Sequence, residues 1–403
     1  MTFHDFKFEP ELIEGLEAMG FEKPTPIQQQ AIPIILQHKD IIACAQTGTG
    51  KTAAYLLPVI NKITQTKSNV INTLVIVPTR ELAIQIDEAI QGLAYFAPVS
   101  SIAIYGGNNG SSFEQERRAL SQGANIIIAT PGRLISHLNM GYVKINNLQH
   151  LILDEADRML DMGFFDDINK IISFLPKKRQ TLLFSATMPP KIRTLAGKTL
   201  IEPEQINIAV SKPAEGVMQA AYLVYNEQKQ TLLTQLLSGK KINSIIIFSS
   251  SKEKVKQLER DLLKLKFNAA SIHSDLEQDQ RGDVLRRFKN KSLQVLVATD
   301  ILSRGIDIDS IGLVINYDVP RDAEDYIHRV GRTARAESTG VAITFINPED
   351  QRKFKKIEEL IGSEIKKLPL PEHMGKSPEY DPTKRFARPK NQMHSSKKPQ
   401  FKR

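Results

Sequence analysis

Ala45-Gln46-Thr47-Gly48-Thr49-Gly50-Lys51-Thr52 follows the apolar run Asp40-Ile-Ile-Ala-Cys-Ala45 and leads into Ala-Ala-Tyr-Leu-Leu. That context reads as a strand, a tight glycine loop and the start of a helix. Gly48 and Gly50 allow the backbone to curl so that successive N–H groups point inward, a cradle for phosphate oxygens. In such a cradle Lys51 neutralises β- and γ-phosphates, the Thr52 hydroxyl ligates Mg²⁺, and the helix contributes its positive N-terminal end. The generic phosphate-loop pattern wants glycine where Ala45 stands, so this is a narrower variant. A glycine turn before a core helix is the plainer alternative.

On both sides of that loop, short apolar runs alternate with helical patterns. Strands are expected at Asp40–Ala45, Leu74–Val77, Ser101–Tyr105, Asn125–Ala129, His150–Leu153 and Thr181–Phe184. Nearly continuous apolar strands suit a parallel sheet covered on both faces. The residues directly after these strands are polar or rich in Gly and Pro: Pro78-Thr79-Arg80, Gly106-Gly107, Thr130-Pro131-Gly132-Arg133, Asp154-Glu-Ala-Asp157 and Ser185-Ala-Thr187. Open α/β sheets bind ligands at such strand ends, so one shared site or two adjoining ones are expected. After about Leu200 the pattern loosens through Glu202-Pro-Glu-Gln into a linker. A second α/β run comes next, with strands near Ala220–Val224, Ser244–Phe248, Ala269–Ile272, Gln294–Ala298, Leu313–Asn316 and Val341–Phe345. The expected fold is α/β, two parallel-sheet domains whose strand ends face one another across a cleft. The boundaries are 1–207, a linker at 208–217, 218–368, and a tail at 369–403.

The chain has 403 residues, enough for two domains, and 41% hydrophobic content supplies their cores. A formal charge of +9 favours a polyanionic partner, nucleic acid before an acidic membrane. From Pro369 the periodicity stops; nine bases face three acids there, and a disordered basic tail is expected. Cys44 is the only cysteine, which excludes an internal disulfide and a cysteine-based zinc site. No secretory leader or membrane-length apolar run is evident, so a cytoplasmic protein without membrane association is expected.

Asp154 and Glu155, directly after the apolar Leu151-Ile-Leu, turn nucleotide binding into a mechanism. An acid at the end of a strand beside the phosphate-loop strand can reach Mg²⁺ through its water shell, and Glu155 can deprotonate a water for in-line attack. Acids opening a helix would be the alternative.

With its surroundings, Asp154-Glu-Ala-Asp157 resembles the signature of the DEAD-box ATP-dependent RNA helicases. The resemblance spans about residues 1 to 368, with the motifs in the family's order, and implies two RecA-like domains, ATP and Mg²⁺ as cofactors, and RNA as partner. Gly20-Phe-Glu-Lys-Pro-Thr-Pro-Ile-Gln28 resembles the Q motif, which implies that Gln28 reads adenine and Phe21 stacks on it, with Phe3 as the isolated upstream aromatic. Pro78, Thr79, Arg80, Gly106, Gly107, Thr130, Pro131, Gly132 and Arg133 resemble RNA-facing motifs, and their hydroxyls, glycine N–H groups and guanidinium forks suit phosphates. Ser185 and Thr187 resemble the motif that couples to Asp157. Val297-Ala-Thr-Asp-Ile-Leu-Ser-Arg-Gly-Ile-Asp307 resembles motif V, with Thr299 toward RNA and Asp307 toward the ATP ribose, and Gln278-Asp-Gln-Arg281 places Arg281 on the RNA backbone. His328-Arg-Val-Gly-Arg332-Thr-Ala-Arg335 resembles motif VI. Its three arginines at threefold spacing fan over one side of a helix or its extension, with His328 coupling and Arg332 and Arg335 as arginine fingers; a solvated basic face is the plain reading. Ala334 departs from the family's more usual glycine, implying a local backbone difference.

The wording around these motifs is most similar to the bacterial RhlE-like subgroup. The implied activity is RNA-stimulated ATP hydrolysis that unwinds short duplexes or remodels RNA–protein complexes, with ribosomal precursors or RNA-decay complexes as partners. An ATP-gated RNA clamp and a DNA-acting helicase of the wider superfamily are the alternatives.

Overall fold

A computed structural model describes residues 1–45, 48–67, 70–106, 110–208, 217–238, 242, 244–273, 275–299, 311–333 and 340–384. The described residues up to Ile208 form one compact unit and those from Val217 another.

The first unit contains strands β1 (Ile41–Cys44), β2 (Thr73–Ile76), β3 (Ser101–Ile104), β4 (Ile126–Ala129), β5 (His150–Leu153), β6 (Gln180–Ser185) and β7 (Glu204–Asn207). All pair in parallel, in the order β3-β4-β2-β5-β6-β1-β7. Successive residues of a strand point to opposite faces, and the chain exploits this with apolar residues at both parities. Ile41, Ala43, Leu182 and Phe184 enter one core with Leu12, Ile27, Leu56 and Ile86 from helices Pro10–Ala18, Pro26–Leu36, Lys51–Thr66 and Arg80–Leu93. Ile42 and Leu183 enter the other, with Leu134, Ile168 and Leu195 from helices Pro131–Asn139, Phe165–Phe174 and Pro190–Thr199.

The second unit contains β8 (Met218–Leu223), β9 (Ile245–Phe248), β10 (Ala269–Ile272), β11 (Val295–Ala298), β12 (Leu313–Asn316), β13 (Val341–Ile346) and β14 (Lys366–Leu368). Its order, β10-β11-β9-β12-β13-β8-β14, is that of the first sheet advanced by seven, again with parallel pairing throughout. One topology is thus built twice.

Three expectations need correction. No strand was expected after Thr181–Phe184 in the first unit, where the pattern loosens, yet Glu204–Asn207 pairs with β1 as an edge strand. Only Ile206 of that strand is buried, so no apolar run announces it. The strand bearing the acids was expected beside the phosphate-loop strand, but β6 lies between β5 and β1. Residues 369–384 were expected to be disordered, and instead they dock on the second unit. Gln228 Nε2 donates to the Met374 carbonyl at 2.7 Å, Gln351 Nε2 to the Glu379 carbonyl at 2.7 Å, and the Tyr380 hydroxyl to Glu358 Oε2 at 2.8 Å. These are polar contacts, so hydrophobic periodicity carries no trace of them. The tail from Arg385 onward lies outside the described residues.

Candidate active site

β1 ends at the phosphate loop, and its lysine opens helix Lys51–Thr66. Gly48 and Gly50 have φ of 82° and 90°, a region closed to most side chains. A Cβ on Gly50 would also lie 2.5 Å from Gln28 Nε2. Gln28 is 2% exposed; its Nε2 donates to the Gly50 carbonyl at 3.1 Å and its Oε1 accepts from Thr25 N–H at 2.9 Å. The glutamine therefore grips the phosphate loop. Phe3 is buried and packs edge-on against the half-buried Phe21, centroids 6.0 Å apart, so Phe21 is the outer ring of the pair. Lys51 is 6% exposed and its Nζ donates to the Ala45 carbonyl at 2.7 Å. Thr49 and Thr52 are half-buried beside it, and Gln46 and Thr47 lie outside the described residues.

Asp154, directly after β5, is 3% exposed. Its Oδ1 accepts from Glu155 N–H at 2.8 Å and its Oδ2 from the Tyr55 hydroxyl at 2.9 Å. Burial pushes its carboxyl up, opposed by the Lys51 charge. Tyr55, fully buried on the phosphate-loop helix, thus bridges a distance that β6 interposes. Its own hydroxyl is held well above the usual phenol range by burial and by the Asp154 charge. Glu155 has φ 49° and ψ 49°, left-handed for a residue with a side chain, and its Oε2 pairs with Arg158 Nη1 at 3.1 Å. Such local strain persists only where the surroundings enforce it. Asp157 Oδ2 accepts from Thr187 N–H at 2.9 Å and from Thr187 Oγ1 at 3.0 Å, while Asp157 N–H donates to Ser185 Oγ at 3.3 Å. Ser185-Ala-Thr187 terminates β6, so the same strand that separates the acid from the loop also clasps it.

Three further strand ends of this sheet lie side by side, the last of them next to β5. β3, β4 and β2 are consecutive in the sheet and carry Gly106, Thr130–Arg133 and Pro78–Arg80 respectively. Thr79 Oγ1 caps helix Arg80–Leu93 by accepting from Leu82 N–H at 3.3 Å, and the Arg80 guanidinium lies 4.5 Å from the Tyr105 ring. Pro131 begins its helix, where its missing N–H costs nothing. A Cβ on Gly106 or Gly132 would meet no atom within 4 Å, so both present open backbone. Arg133 is more enclosed: its Nε donates to Glu116 Oε2 at 2.8 Å over the Phe113 ring, 4.6 Å away. Gly107 lies outside the described residues.

In the second unit Thr299 comes directly after β11 and Arg281 stands on helix Gln278–Lys289, both half-buried. Helix Ala323–Val330 carries His328 and ends before Arg332, which is half-buried in the following turn. The expected fan of three arginines is corrected at Arg329. That residue is 3% exposed, its Nη1 donates to Asn316 Oδ1 and to the Asp318 carbonyl at 2.9 Å each, and its guanidinium lies 5.0 Å from the Phe248 ring. Spacing along a helix does not say which face is covered. Asp307, Ala334 and Arg335 lie outside the described residues.

Sequence reasoning missed Tyr55 and Glu116 and misplaced Arg329 on an exposed face. Each is a polar group buried against a partner distant in sequence, and only the position of Tyr55, one turn after Thr52, could have drawn attention to it.

A family model described as DEAD/DEAH box helicase matches residues 25–195, and one described as Helicase conserved C-terminal domain matches 228–337. The DEAD-box ATP-dependent RNA helicase CshA of Geobacillus kaustophilus is 41% identical over 371 residues, 92% of this chain and 79% of that protein. CshA of Bacillus subtilis is 42% identical over 372 residues, covering 92% and 74%. Among solved structures, S. cerevisiae Dbp5 bound to RNA and ADP BeF3 superimposes with a TM-score of 0.82 at 30% identity, covering 91% of this chain and 95% of that one. A doubly truncated Mss116p bound to ssRNA and AMP-PNP gives 0.81 at 26% identity, covering 93% and 81%. None of these relatives bears the RhlE name.

Proposed function

Since the chain belongs to the DEAD-box family of ATP-dependent RNA helicases, we propose that the two groups of strand ends divide its activity, β1, β5 and β6 holding ATP and β2, β3 and β4 holding RNA. Its reaction is RNA-stimulated hydrolysis of ATP, coupled to RNA unwinding. The observation that supports the division is the sheet order, which sets Thr130–Arg133 between Gly106 and Pro78–Arg80 on one side of the sheet, with the β5 and β1 ends that carry Asp154 and Lys51 following on the other side of β2.

In this reading the N–H groups of the phosphate loop and Lys51 bind the β- and γ-phosphates, and Phe21 stacks on adenine. Gln28 recognises the base and, through Gly50, reports its presence to the loop. The Thr52 hydroxyl and Asp154 carboxylate are hard oxygen donors of the kind Mg²⁺ accepts alongside phosphates and waters. When bound, Mg²⁺ neutralises charge on the β- and γ-phosphates. Glu155 takes a proton from water as the water oxygen bonds to the γ-phosphorus and the bond to the β,γ-bridging oxygen breaks, releasing ADP and phosphate. Arg332 and Arg335 stabilise the charge on the transferring group, and Asp307 binds the ribose. Thr187, by gripping Asp157, ties the acidic turn to the end of β6. Arg281 and Thr299 add RNA backbone contacts from the second unit, and His328 couples them to hydrolysis.

We assign 1–207 and 218–368 as the two helicase domains, with the docked segment to Lys384 belonging to the second. We also place the protein in the cytoplasm, on ribosomal precursors or RNA-decay complexes; among the described residues no helix is long and apolar enough to cross a membrane. Crosslinking in cells followed by sequencing of bound RNA tests that placement. The site itself is tested by Glu155→Gln, which keeps the shape and removes the base. RNA-stimulated turnover should fall by about 10²- to 10⁴-fold with nucleotide binding retained, and turnover at the wild-type rate would sink the role given to Glu155.

A further inference from the structure

Tyr55 is 0% exposed, and burying a hydroxyl is costly unless it is hydrogen-bonded. Its ring packs on Phe184 of β6, centroids 5.1 Å apart, and its hydroxyl donates to Asp154 Oδ2 at 2.9 Å. Thr52, one helical turn earlier, is close enough for its hydroxyl to interact with that of Tyr55. One phenol therefore joins the two residues assigned to Mg²⁺. Glu155 N–H occupies the other carboxylate oxygen of Asp154 at 2.8 Å, so both oxygens are restrained. A phenylalanine here would fill the same space and pack on Phe184 equally well, so packing gives no reason for the hydroxyl.

We propose that Tyr55 is a positioning residue for the metal side of the ATP site: its hydroxyl sets the direction in which the Asp154 carboxylate meets the hydrated Mg²⁺ of a bound nucleotide. This rests on the reading of Asp154 as the acid that faces the metal. Without the hydroxyl, Asp154 loses one of its two restraints. Metal recognition weakens while the phosphate and base contacts of the nucleotide remain.

Tyr55→Phe tests this in the full chain, with binding of a fluorescent ADP analogue titrated against Mg²⁺. The half-saturating Mg²⁺ concentration should rise about fivefold, the factor expected from losing one hydrogen bond. Affinity for the analogue in EDTA should stay at the wild-type value, and kcat should fall more than the KM for RNA rises. Asp154→Asn is measured alongside. A shifted Mg²⁺ dependence in Asp154→Asn with none in Tyr55→Phe would overturn the inference alone. No shift in either would overturn the reading of Asp154 and the inference with it. A lowered thermal midpoint in Tyr55→Phe with Mg²⁺ dependence intact would leave the hydroxyl a structural role only, and also overturns it.

Discussion

His150 shows how much a single buried residue can be asked to bear. It is 2% exposed on β5, with Nδ1 paired to Gln180 Oε1 at 2.9 Å, and burial pushes its pKa from 6.5 down to about 4. The folded protein thus holds a neutral imidazole where the unfolded chain would bind a proton. The associated stability is fully present above about pH 6.5 and is lost progressively as pH falls toward 4, about 3 kcal/mol in all. His150→Gln should flatten the acid dependence of the first unit's urea midpoint between about pH 7 and pH 4.5; an unchanged slope would place the titration elsewhere. Residue identity in the sequence offered a chemistry for Lys51, Asp154 and Glu155. It did not reveal that His150 and Arg329 are buried, because both types are commoner at surfaces.

At the scale of elements, helices Gly110–Gln122 and Pro131–Asn139 meet through Glu116. Its Oε2 accepts from Arg133 Nε at 2.8 Å and lies 2.7 Å from His137 Nε2, while the Phe113 ring stacks on His137 at 4.3 Å. His137 Nδ1 also pairs with the Tyr142 hydroxyl. The first helix comes after Gly106 and the second begins directly after Thr130, so one carboxylate joins two motifs assigned to RNA. Glu116→Ala should destabilise the first unit by about 2 kcal/mol, the scale of a lost charged hydrogen bond, and raise the KM for RNA. Glu116→Gln, which keeps an acceptor for Arg133, should recover most of the KM; equal damage by both would show that charge rather than placement matters. The strands of both sheet interiors were legible because runs such as Ile126-Ile-Ile-Ala129 and Ile245-Ile-Ile-Phe248 are apolar on both faces. The edge strands β7 and β14 were not, since a strand with one ladder and one covered face needs few apolar residues.

For the whole molecule, the docked segment through Lys384 changes how the basic tail should be tested. Residues 385–403 hold seven bases and no acid, whereas residues 371–384 hold two bases and three acids. Truncation after Lys384 should leave the thermal midpoint of the second unit in place. It should weaken RNA binding chiefly at low salt, reducing the slope of log K against log salt by as much as about 5. Truncation after Leu370 also takes the partners of Gln228, Gln351 and Glu358, and the second unit's midpoint should fall with it. Equal loss of RNA affinity at all salt concentrations in the shorter truncation would rule out an electrostatic tether.

By itself the sequence determined two α/β domains, an ATP-hydrolysing chemistry and an RNA partner. Those features are carried by local patterns: continuous apolar runs make strands, and the few residues after each run display its chemistry. Strand order is a long-range property, and only the tertiary structure decided it. That order placed β6 between the acids and the phosphate loop, drew β2, β3 and β4 into one surface, and set Tyr55 against Asp154 across 99 residues of chain. Pairings of this kind come from packing whole elements together, and no window of neighbouring residues contains them.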